Sequence, residues 1–346
     1  MKLLAISDHY IPRRYMEDGL VSLEKRGVHV EVRPWEHPTL EELQEANLQI
    51  EQNGPDAVPL PDELYENVSD CEILVTQFPP IPRRLIEAAT NLKLIGVLRS
   101  GVENVDVEFA TKKGICIFNT PGRNARAVAE CTVGLILTEI RNLARAHAEL
   151  KRGVWTRDFP NRNDIPELLG KTVGLVGYGA IGKLVAKFLD AFGANIVVHD
   201  PFLRESDGIA VPVDLKTLMR TSDIVSLHAR YSDETHHLLS RELLETMKPT
   251  AILVNTARAG LVDEKALIDI LASKGIMGAA LDVFEEEPIP ADSPFLALDN
   301  VTIVPHLAGS TVDAFRNSPR LFAAHLARAL GGEKHLPIIN GVDCPW

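Results

Sequence analysis

The chain has 346 residues, of which 45% are hydrophobic and 24% charged, so it can form one or two domains with a substantial core. Its net charge of −12 argues against nucleic acid or an anionic membrane as a general partner. No apolar segment reaches membrane-spanning length and the N-terminal apolar run is too short for a signal peptide, so a cytoplasmic location is expected. Four widely spaced cysteines are expected to be reduced, with no metal site: Cys71, Cys116, Cys131 and Cys344.

From the N-terminus onward, short β-branched runs alternate with helical stretches, which is typical of parallel sheets covered by helices. A first set of strands is predicted at residues 2–7, 28–32, 72–76, 93–98 and 115–118. One unbroken helix is predicted from about Ala125 to Arg152. A second set of strands is predicted from Thr172 onward, then at 195–199, 224–227, 251–254, 276–281 and 301–304. The last helix, at about 312–330, is expected to return to the first domain.

The clearest motif opens the second set of strands. Gly177, Gly179 and Gly182 follow an apolar run in a G-x-G-x-x-G pattern. In order, they would permit a tight turn, the approach of the backbone to a pyrophosphate, and close packing of the next helix. Asp200 follows the next predicted strand, where its carboxylate would accept hydrogen bonds from ribose hydroxyls and repel a 2′-phosphate. The pattern predicts an NAD site in the middle of the chain.

Polar side chains follow three later strands of the second set. Arg258 comes first and could bind a carboxylate through two parallel hydrogen bonds. Acidic residues 285–287 follow the next strand, and His306 the one after. A histidine suits acid–base chemistry near neutral pH, and a carboxylate partner would favour its protonated form. Singly, each is more simply interpreted as a surface or loop residue, but their shared edge of the sheet favours hydride transfer on a 2-hydroxy acid.

With these motifs, the chain resembles the D-isomer-specific 2-hydroxyacid dehydrogenases, a family that includes phosphoglycerate dehydrogenase, glycerate dehydrogenase and hydroxypyruvate reductase. The resemblance covers nearly the whole chain. It is carried by residues 99–106, 119–122, 127–130, 177–182, 255–260, 282–288 and 305–310.

The resemblance implies a role for each candidate site residue. His306 would exchange the proton, Arg258 would bind the substrate carboxylate and carbonyl, and Glu287 would orient His306. Backbone N–H groups around Ser100, Gly101 and Val102 would hold the substrate carboxylate. The expected cofactor-binding residues, from the motif and the resemblance, are Gly177, Tyr178, Gly179, Ala180, Ile181, Gly182, Asp200, Pro201, His228, Ala229, Thr235, Thr256, Ala257, Arg258, Asp282, His306 and Gly309.

The resemblance also implies an α/β fold of two Rossmann-like, doubly wound parallel-sheet domains with a cleft between them. Residues 1–119 and 313–346 are expected to form a discontinuous substrate domain, and residues 120–312 the NAD-binding domain. Family members usually dimerise through the NAD-binding domain, so a homodimer is expected, with a small 2-keto or 2-hydroxy acid as substrate. Because the chain ends soon after the last predicted helix, a short form without a regulatory domain is expected.

Two departures from the family pattern bear on the substrate. Residues 77–81 occupy a loop that carries cationic or hydroxyl side chains in phosphoglycerate dehydrogenases, and no basic residue stands at its tip, although Arg83 and Arg84 follow. A small or apolar-tailed 2-keto acid is therefore expected, with a phosphorylated substrate, as for phosphoglycerate dehydrogenase, as the alternative. Arg230 stands where the family commonly has an apolar residue or proline, and it either adds positive charge near the cofactor or faces solvent.

Other functions compete with the dehydrogenase interpretation. An NAD-sensing binding protein, such as a corepressor, stays an alternative because a fold does not fix a function. The complete arginine, glutamate and histidine set favours chemistry over sensing. Formate dehydrogenases lack a glutamate at the Glu287 position, and a methyltransferase would leave Arg258 and His306 without a role. Phosphite oxidation uses a similar set and stays open.

Overall fold

The computed structural model describes all 346 residues and divides into two compact units. Unit 1 consists of Met1–Asn124 and Thr311–Trp346, and unit 2 of Ala125–Ser310. Unit 1 is therefore discontinuous in sequence, as expected. None of the helices combines the length and the apolar character that crossing a membrane requires.

Unit 1 is built on a parallel sheet of five strands in the order β2-β1-β3-β4-β5. The strands β1, β3 and β4 are almost entirely buried, which is typical of parallel strands covered by helices on both faces. The strands of unit 1 are β1 (Lys2–Ser7), β2 (His29–Pro34), β3 (Ile73–Thr76), β4 (Leu94–Val97) and β5 (Cys116–Asn119). Its helices are α1 (Arg13–Leu20), α2 (Leu40–Asn53), α3 (Arg83–Ala88), α4 (Val107–Lys112) and, after unit 2, α11 (Val312–Leu330).

The C-terminal helix α11 packs on the sheet of unit 1 through small residues. A β-carbon on Gly96 of β4 would lie 2.1 Å from the ring of Phe322, and one on Gly19 of α1 would lie 2.5 Å from the β-carbon of Pro319. Thr311 caps the helix by accepting a hydrogen bond from the N–H of Ala314 at 3.1 Å. These close contacts make the segment after unit 2 an integral part of the core of unit 1.

Unit 2 contains a parallel sheet of seven strands in the order β12-β11-β10-β9-β6-β7-β8. The first strand of this sheet, β6, lies in its interior. The chain then adds β7 and β8 on one side of β6, and β9 to β12 on the other side. Ligands bind beside the carboxyl ends of strands at such a reversal. The strands are β6 (Thr172–Val176), β7 (Asn195–His199), β8 (Ala210–Pro212), β9 (Ile224–Leu227), β10 (Ile252–Asn255), β11 (Gly278–Leu281) and β12 (Val301–Ile303).

The predicted strands are all present, with ends that differ by at most two residues. The edge strand β8 was missed because its three residues are too few to show a pattern. The helices of unit 2 are α5 (Ala125–Ile140), α6 (Leu143–Lys151), α7 (Ala180–Asp190), α8 (Leu215–Thr221), α9 (Arg241–Leu244) and α10 (Glu264–Ala272).

The prediction of one unbroken helix from Ala125 to Arg152 is wrong. The helix stops at Ile140 and restarts at Leu143, because Asn142 adopts a left-handed conformation with φ +56°. The side chain of Asn161 hydrogen-bonds the polar groups at this break. Its amide nitrogen donates to the Ile140 carbonyl at 3.1 Å, and its amide oxygen accepts from the side-chain nitrogen of Asn142 at 2.6 Å. The break thus depends on a residue that is distant in sequence.

Candidate active site

The glycine-rich loop after β6 has the conformation that its motif requires. Gly177 has φ +99°, and a β-carbon there would lie 2.5 Å from the backbone nitrogen of Ala229. A β-carbon on Gly182 would lie 2.4 Å from the carbonyl oxygen of Gly177. A β-carbon on Gly179 would contact nothing within 4 Å. Two glycines are therefore required by packing, while the third leaves the backbone open to an approaching group.

The N-terminus of α7 lies directly after this loop. Gly179 is the N-cap residue and provides no side chain for capping. Ala180 and Ile181 form the start of the first turn, where the backbone N–H groups have no acceptor within the helix. The positive end of the helix dipole and these N–H groups together favour a phosphate.

Asp200 follows β7 and is held by two backbone groups. Its Oδ2 accepts a hydrogen bond from the N–H of Tyr178 at 2.6 Å, and its Oδ1 accepts from the N–H of Phe202 at 2.8 Å. Pro201 lies between these contacts and is exposed. The Tyr178 side chain is buried and donates its hydroxyl to Asp207 at 2.7 Å, so burial and this carboxylate raise the pKa of Tyr178. The carboxylate of Asp200 is thus fixed beside the glycine-rich loop.

The loop after β9 contains His228, Ala229 and Thr235. The Nε2 atom of His228 lies 3.0 Å from the hydroxyl of Ser226, and burial lowers the pKa of this imidazole to about 3. His228 is therefore neutral at physiological pH. The Thr235 hydroxyl accepts from the N–H of Ser232 and donates to a carbonyl, so it stabilises the turn. Arg230, in this loop, is exposed.

Arg258 lies in a turn just after β10 that Asn255 organises. The Asn255 side chain accepts from the N–H of Ala257 at 3.0 Å and donates to the carbonyl of Arg258 at 2.9 Å. The guanidinium of Arg258 is exposed and donates only to the Ala257 carbonyl, so it is available to an anion. The hydroxyl of Thr256 lies 2.8 Å from that of Thr132 and both are buried, which leaves only the backbone of Thr256 for a ligand.

His306 and Glu287 are in direct contact. The Nδ1 atom of His306 lies 2.7 Å from Oε2 of Glu287, and Oε1 of Glu287 accepts from the N–H of Phe284 at 2.9 Å. Because a backbone group holds the carboxylate, the carboxylate can orient the imidazole. The opposite ring nitrogen, Nε2, has no protein partner, and the side chain of His306 is 49% exposed. His306 can therefore exchange a proton through Nε2.

Asp282, at the end of β11, holds the backbone that carries His306. It is buried, and it accepts hydrogen bonds from the N–H of Leu307 at 2.7 Å and of Ala308 at 3.1 Å. Burial raises the pKa of Asp282. His306 itself has φ +47°, a conformation that is unfavourable for a residue with a side chain. The Asp282 contacts compensate for that strain and fix the loop that ends at Gly309.

These residues share one edge of the unit 2 sheet. Arg258, Asp282 and His306 follow the adjacent strands β10, β11 and β12. The glycine-rich loop, Asp200 and the loop of residues 228–235 follow β6, β7 and β9. The carboxyl ends of neighbouring parallel strands meet at this edge, so an acid–base pair, a free guanidinium and a phosphate-binding loop lie on the same side.

In unit 1, Ser100, Gly101 and Val102 follow β4. Their backbone N–H groups donate to no protein acceptor, while the Ser100 carbonyl accepts from the side chain of Asn119 at 2.7 Å. A β-carbon on Gly101 would lie 2.4 Å from a carboxylate oxygen of Glu103, so a larger residue there would displace the Glu103 side chain. Consecutive free N–H groups suit a carboxylate.

Comparison with known proteins agrees with this geometry. The family model for the NAD-binding domain of D-isomer specific 2-hydroxyacid dehydrogenases matches residues 133–308. A glyoxylate reductase of Thermofilum pendens is 40% identical over 309 residues, which cover 88% of this chain and 91% of that protein. The chain belongs to the D-2-hydroxyacid dehydrogenase family. Members of this family are NAD-dependent oxidoreductases, and this chain is one of them.

Two further similarities concern a longer relative and a solved structure of the same fold. A D-3-phosphoglycerate dehydrogenase of Methanocaldococcus jannaschii is 42% identical over 289 residues, which cover 82% of this chain and 54% of that protein. The chain therefore spans about half the length of that relative. The NAD complex of a D-isomer specific 2-hydroxyacid dehydrogenase from Lactobacillus delbrueckii ssp. bulgaricus has the same fold, with a TM-score of 0.77 and 23% identity, covering 98% of this chain and 100% of that chain.

The residues of this D-2-hydroxyacid dehydrogenase fit NAD. The open space at Gly179 and the uncapped start of α7 suit a pyrophosphate. The fixed carboxylate of Asp200 suits ribose hydroxyls. Sequence reasoning missed Asn255, whose signal is an amide at the last position of a buried strand before a turn.

Proposed function

We propose that this dehydrogenase interconverts a D-2-hydroxy acid and its 2-keto acid, with His306 as the acid–base residue. The observation that carries the proposal is the 2.7 Å contact between Nδ1 of His306 and Glu287. The free guanidinium of Arg258 at the same edge supports it, because a 2-keto acid presents a carboxylate next to the reacting carbonyl. A protein that only senses NAD would need neither feature.

The proposed mechanism assigns a distinct role to each residue of unit 2. Arg258 binds the substrate carboxylate and polarises the carbonyl. Bound NAD would supply or accept the hydride at C2. His306 donates its Nε2 proton to the carbonyl oxygen in reduction and takes the hydroxyl proton in oxidation.

Glu287 acts on the substrate only through His306. Its carboxylate accepts a hydrogen bond from Nδ1, which fixes the ring and leaves Nε2 as the exchanging atom. Its negative charge also stabilises the imidazolium that reduction requires. Asp282 holds the loop that carries His306 and does not take part in the proton transfer.

The proposal is tested by following NADH oxidation by absorbance with glyoxylate, hydroxypyruvate, 2-oxobutyrate and phosphohydroxypyruvate. We expect His306→Asn to lower kcat by about 10² to 10⁴-fold, the usual contribution of a positioned acid–base group. His29→Asn makes the same change at an exposed position of β2 and should behave like wild type. An active His306→Asn variant would remove His306 from the role. NADH binding without turnover of any keto acid would favour the sensing alternative.

We also propose that the protein is a homodimer that associates through unit 2. Four large apolar side chains in and after α6 are strongly exposed: Trp155 is 81% exposed, Leu169 74%, Leu150 56% and Leu143 54%. A set of exposed apolar residues in one segment is typical of a protein contact surface. Trp155→Glu should produce monomers in analytical ultracentrifugation, while Val21→Glu in unit 1 should not. A monomeric wild type would contradict the proposal.

A further inference from the structure

Unit 1 presents a second group of polar side chains at the carboxyl edge of its sheet. Asp8 follows β1, Gln77 follows β3, Arg99 lies just after β4, and Arg123 lies in the turn after β5. Because these strands are parallel neighbours, the four residues lie at the same edge as Ser100. We call Asp8, Gln77, Arg99 and Arg123 the tail cluster, because we consider them below as partners of the substrate's tail, the part of a 2-hydroxy acid beyond C2.

Five polar atoms of the tail cluster are buried without a hydrogen-bond partner. Asp8 is 6% exposed and Gln77 is fully buried. No protein group hydrogen-bonds Oδ2 of Asp8, either amide atom of Gln77, Nε of Arg99 or Nη1 of Arg123. More than about 90% of buried polar groups in proteins are paired, since an unpaired one loses its hydration without compensation. Five such atoms at one edge of a sheet offer hydrogen bonds to a polar group or to ordered water.

Aromatic rings connect the members of the cluster. The guanidinium of Arg99 lies 5.5 Å from the ring centroid of Phe78, and that of Arg123 lies 5.1 Å from that of Phe315. The ring of Tyr10 packs against both, with centroid distances of 5.4 and 4.8 Å. The two guanidiniums are therefore part of one continuous surface within unit 1.

The charges of this surface do not suit a substrate whose tail carries a negative charge. Arg99 is already paired with Glu51 at 2.7 Å and Glu103 at 3.1 Å. With Asp8, three carboxylates therefore face the two guanidiniums of Arg99 and Arg123. A phosphate or a second carboxylate needs an excess of positive charge, and this cluster has none to offer.

The unpaired atoms include both donors and acceptors. Asp8 Oδ2 and Gln77 Oε1 accept hydrogen bonds, whereas Gln77 Nε2, Arg99 Nε and Arg123 Nη1 donate them. An apolar tail would leave all of these atoms unpaired. Hydroxyl groups both donate and accept, so several hydroxyls on adjacent carbons match the set.

We propose that the tail cluster binds the distal hydroxyl groups of a polyhydroxylated 2-hydroxy acid, that is, a sugar acid. This inference rests on the proposed function and specifies its substrate class. It is an alternative to the small or apolar-tailed 2-keto acid that residues 77–81 predict, because Asp8 and Arg123 come from other parts of the chain.

The test compares two pairs of 2-keto acids that differ only in their hydroxyls. These are 2-keto-D-gluconate with 2-oxohexanoate, and hydroxypyruvate with pyruvate. We expect kcat/KM for 2-keto-D-gluconate to exceed that for 2-oxohexanoate by at least about 10²-fold, since sites built to hydrogen-bond a hydroxyl strongly reject analogues that lack it. The single hydroxyl of hydroxypyruvate should raise kcat/KM over that of its partner by a smaller factor.

Substitutions locate the preference in the cluster. Gln77→Met and Arg123→Met should each lower the ratio for the six-carbon pair at least about tenfold, because each removes one or two partners of the hydroxyls. Gln52→Met and Arg320→Met make the same changes at exposed positions of α2 and α11 and should keep the wild-type ratio. If Gln77→Met does not fold, the Arg123→Met variant and the comparison of substrates with the wild type still test the proposal.

Failure of this proposal can be separated from failure of the proposed function. If glyoxylate is reduced but 2-oxohexanoate or phosphohydroxypyruvate is preferred to 2-keto-D-gluconate, only the tail assignment is wrong. If no keto acid turns over, calorimetric titration of the NAD-loaded protein with D-gluconate and with hexanoate still tests the cluster. Tighter binding of D-gluconate that Arg123→Met abolishes would support it, and equal binding of the two acids would overturn it.

Discussion

Asp8→Asn tests whether the buried carboxylate of the tail cluster lowers the stability of the protein. Oδ1 of Asp8 accepts hydrogen bonds from the N–H groups of Tyr10 and Ile11, both at 2.8 Å, while Oδ2 is unpaired. Asparagine can place its oxygen at the Oδ1 position and keep both bonds. Burial raises the pKa of Asp8 from 3.8 to about 6, although backbone N–H groups partly oppose the shift.

The sign and size of the effect follow from this pKa. Because the pKa of Asp8 is higher in the folded than in the unfolded state, ionisation of Asp8 destabilises the fold. The penalty is absent below about pH 4, grows between about pH 4 and 6, and is constant at higher pH. A rise from 3.8 to about 6 corresponds to about 3 kcal/mol. The asparagine amide does not ionise, so Asp8→Asn should gain about 3 kcal/mol at pH 7.5 but only about 1 kcal/mol at pH 4.5.

Thermal unfolding at the two pH values measures this difference. For a unit of this size, about 3 kcal/mol should raise the Tm by about 6 to 12 °C. Asp70→Asn is the matched control, because Asp70 is exposed and its only side-chain contact is with the Ser69 hydroxyl at 3.5 Å. Equal gains at both pH values, or a loss at pH 7.5, would show that the Asp8 carboxylate is not desolvated. The stabilised variant should also lose preference for hydroxylated substrates, a stability–function trade-off.

Three further predictions concern unit 2. Gly182→Ala would place a β-carbon 2.4 Å from the carbonyl of Gly177, so it should lower stability by about 1 to 3 kcal/mol and weaken NADH binding in calorimetric titrations. Gly134→Ala, where a β-carbon meets nothing within 4 Å, should do neither. Glu287→Gln leaves one oxygen for two donors, so it should move the pH dependence of keto-acid reduction to lower pH, and an unchanged profile would remove Glu287 from its role. Asp200→Ser should reduce the preference for NAD over NADP in kcat/KM at least about tenfold, since it removes the charge that repels a 2′-phosphate; an unchanged ratio would contradict the assignment.

The local features of this protein could be predicted from its sequence. Parallel strands such as β3 and β10 are continuous apolar runs, because both faces of the sheet are covered. The glycines at 177, 179 and 182 follow from the geometry of one turn and one helix start. Asp200 lies one strand later in the same β-α-β unit. Each of these features depends on residues that are close in sequence, so the pattern alone carries them.

Other features depend on contacts that the sequence pattern does not contain. The break at Asn142 requires Asn161, which lies outside both helices. The strand β8 is too short to predict and is stabilised by pairing with β7. The position of His306 results from its contact with Glu287 and from the hold of Asp282 on the following loop. Family resemblance suggested the first of these contacts, but the backbone strain at His306 follows only from the fold.

The tail cluster shows most clearly what only the tertiary structure decided. Asp8, Gln77, Arg99 and Arg123 come from four separate strand ends, and no sequence pattern relates them. The burial of their five unpaired atoms is a property of the packed sheet and of α11, whose Phe315 contacts Arg123. The sequence by itself determined the family, the cofactor and the reaction class, because those depend on local motifs. The chemistry of the substrate tail depends on which distant side chains share one edge of a sheet, and only folding brings them there.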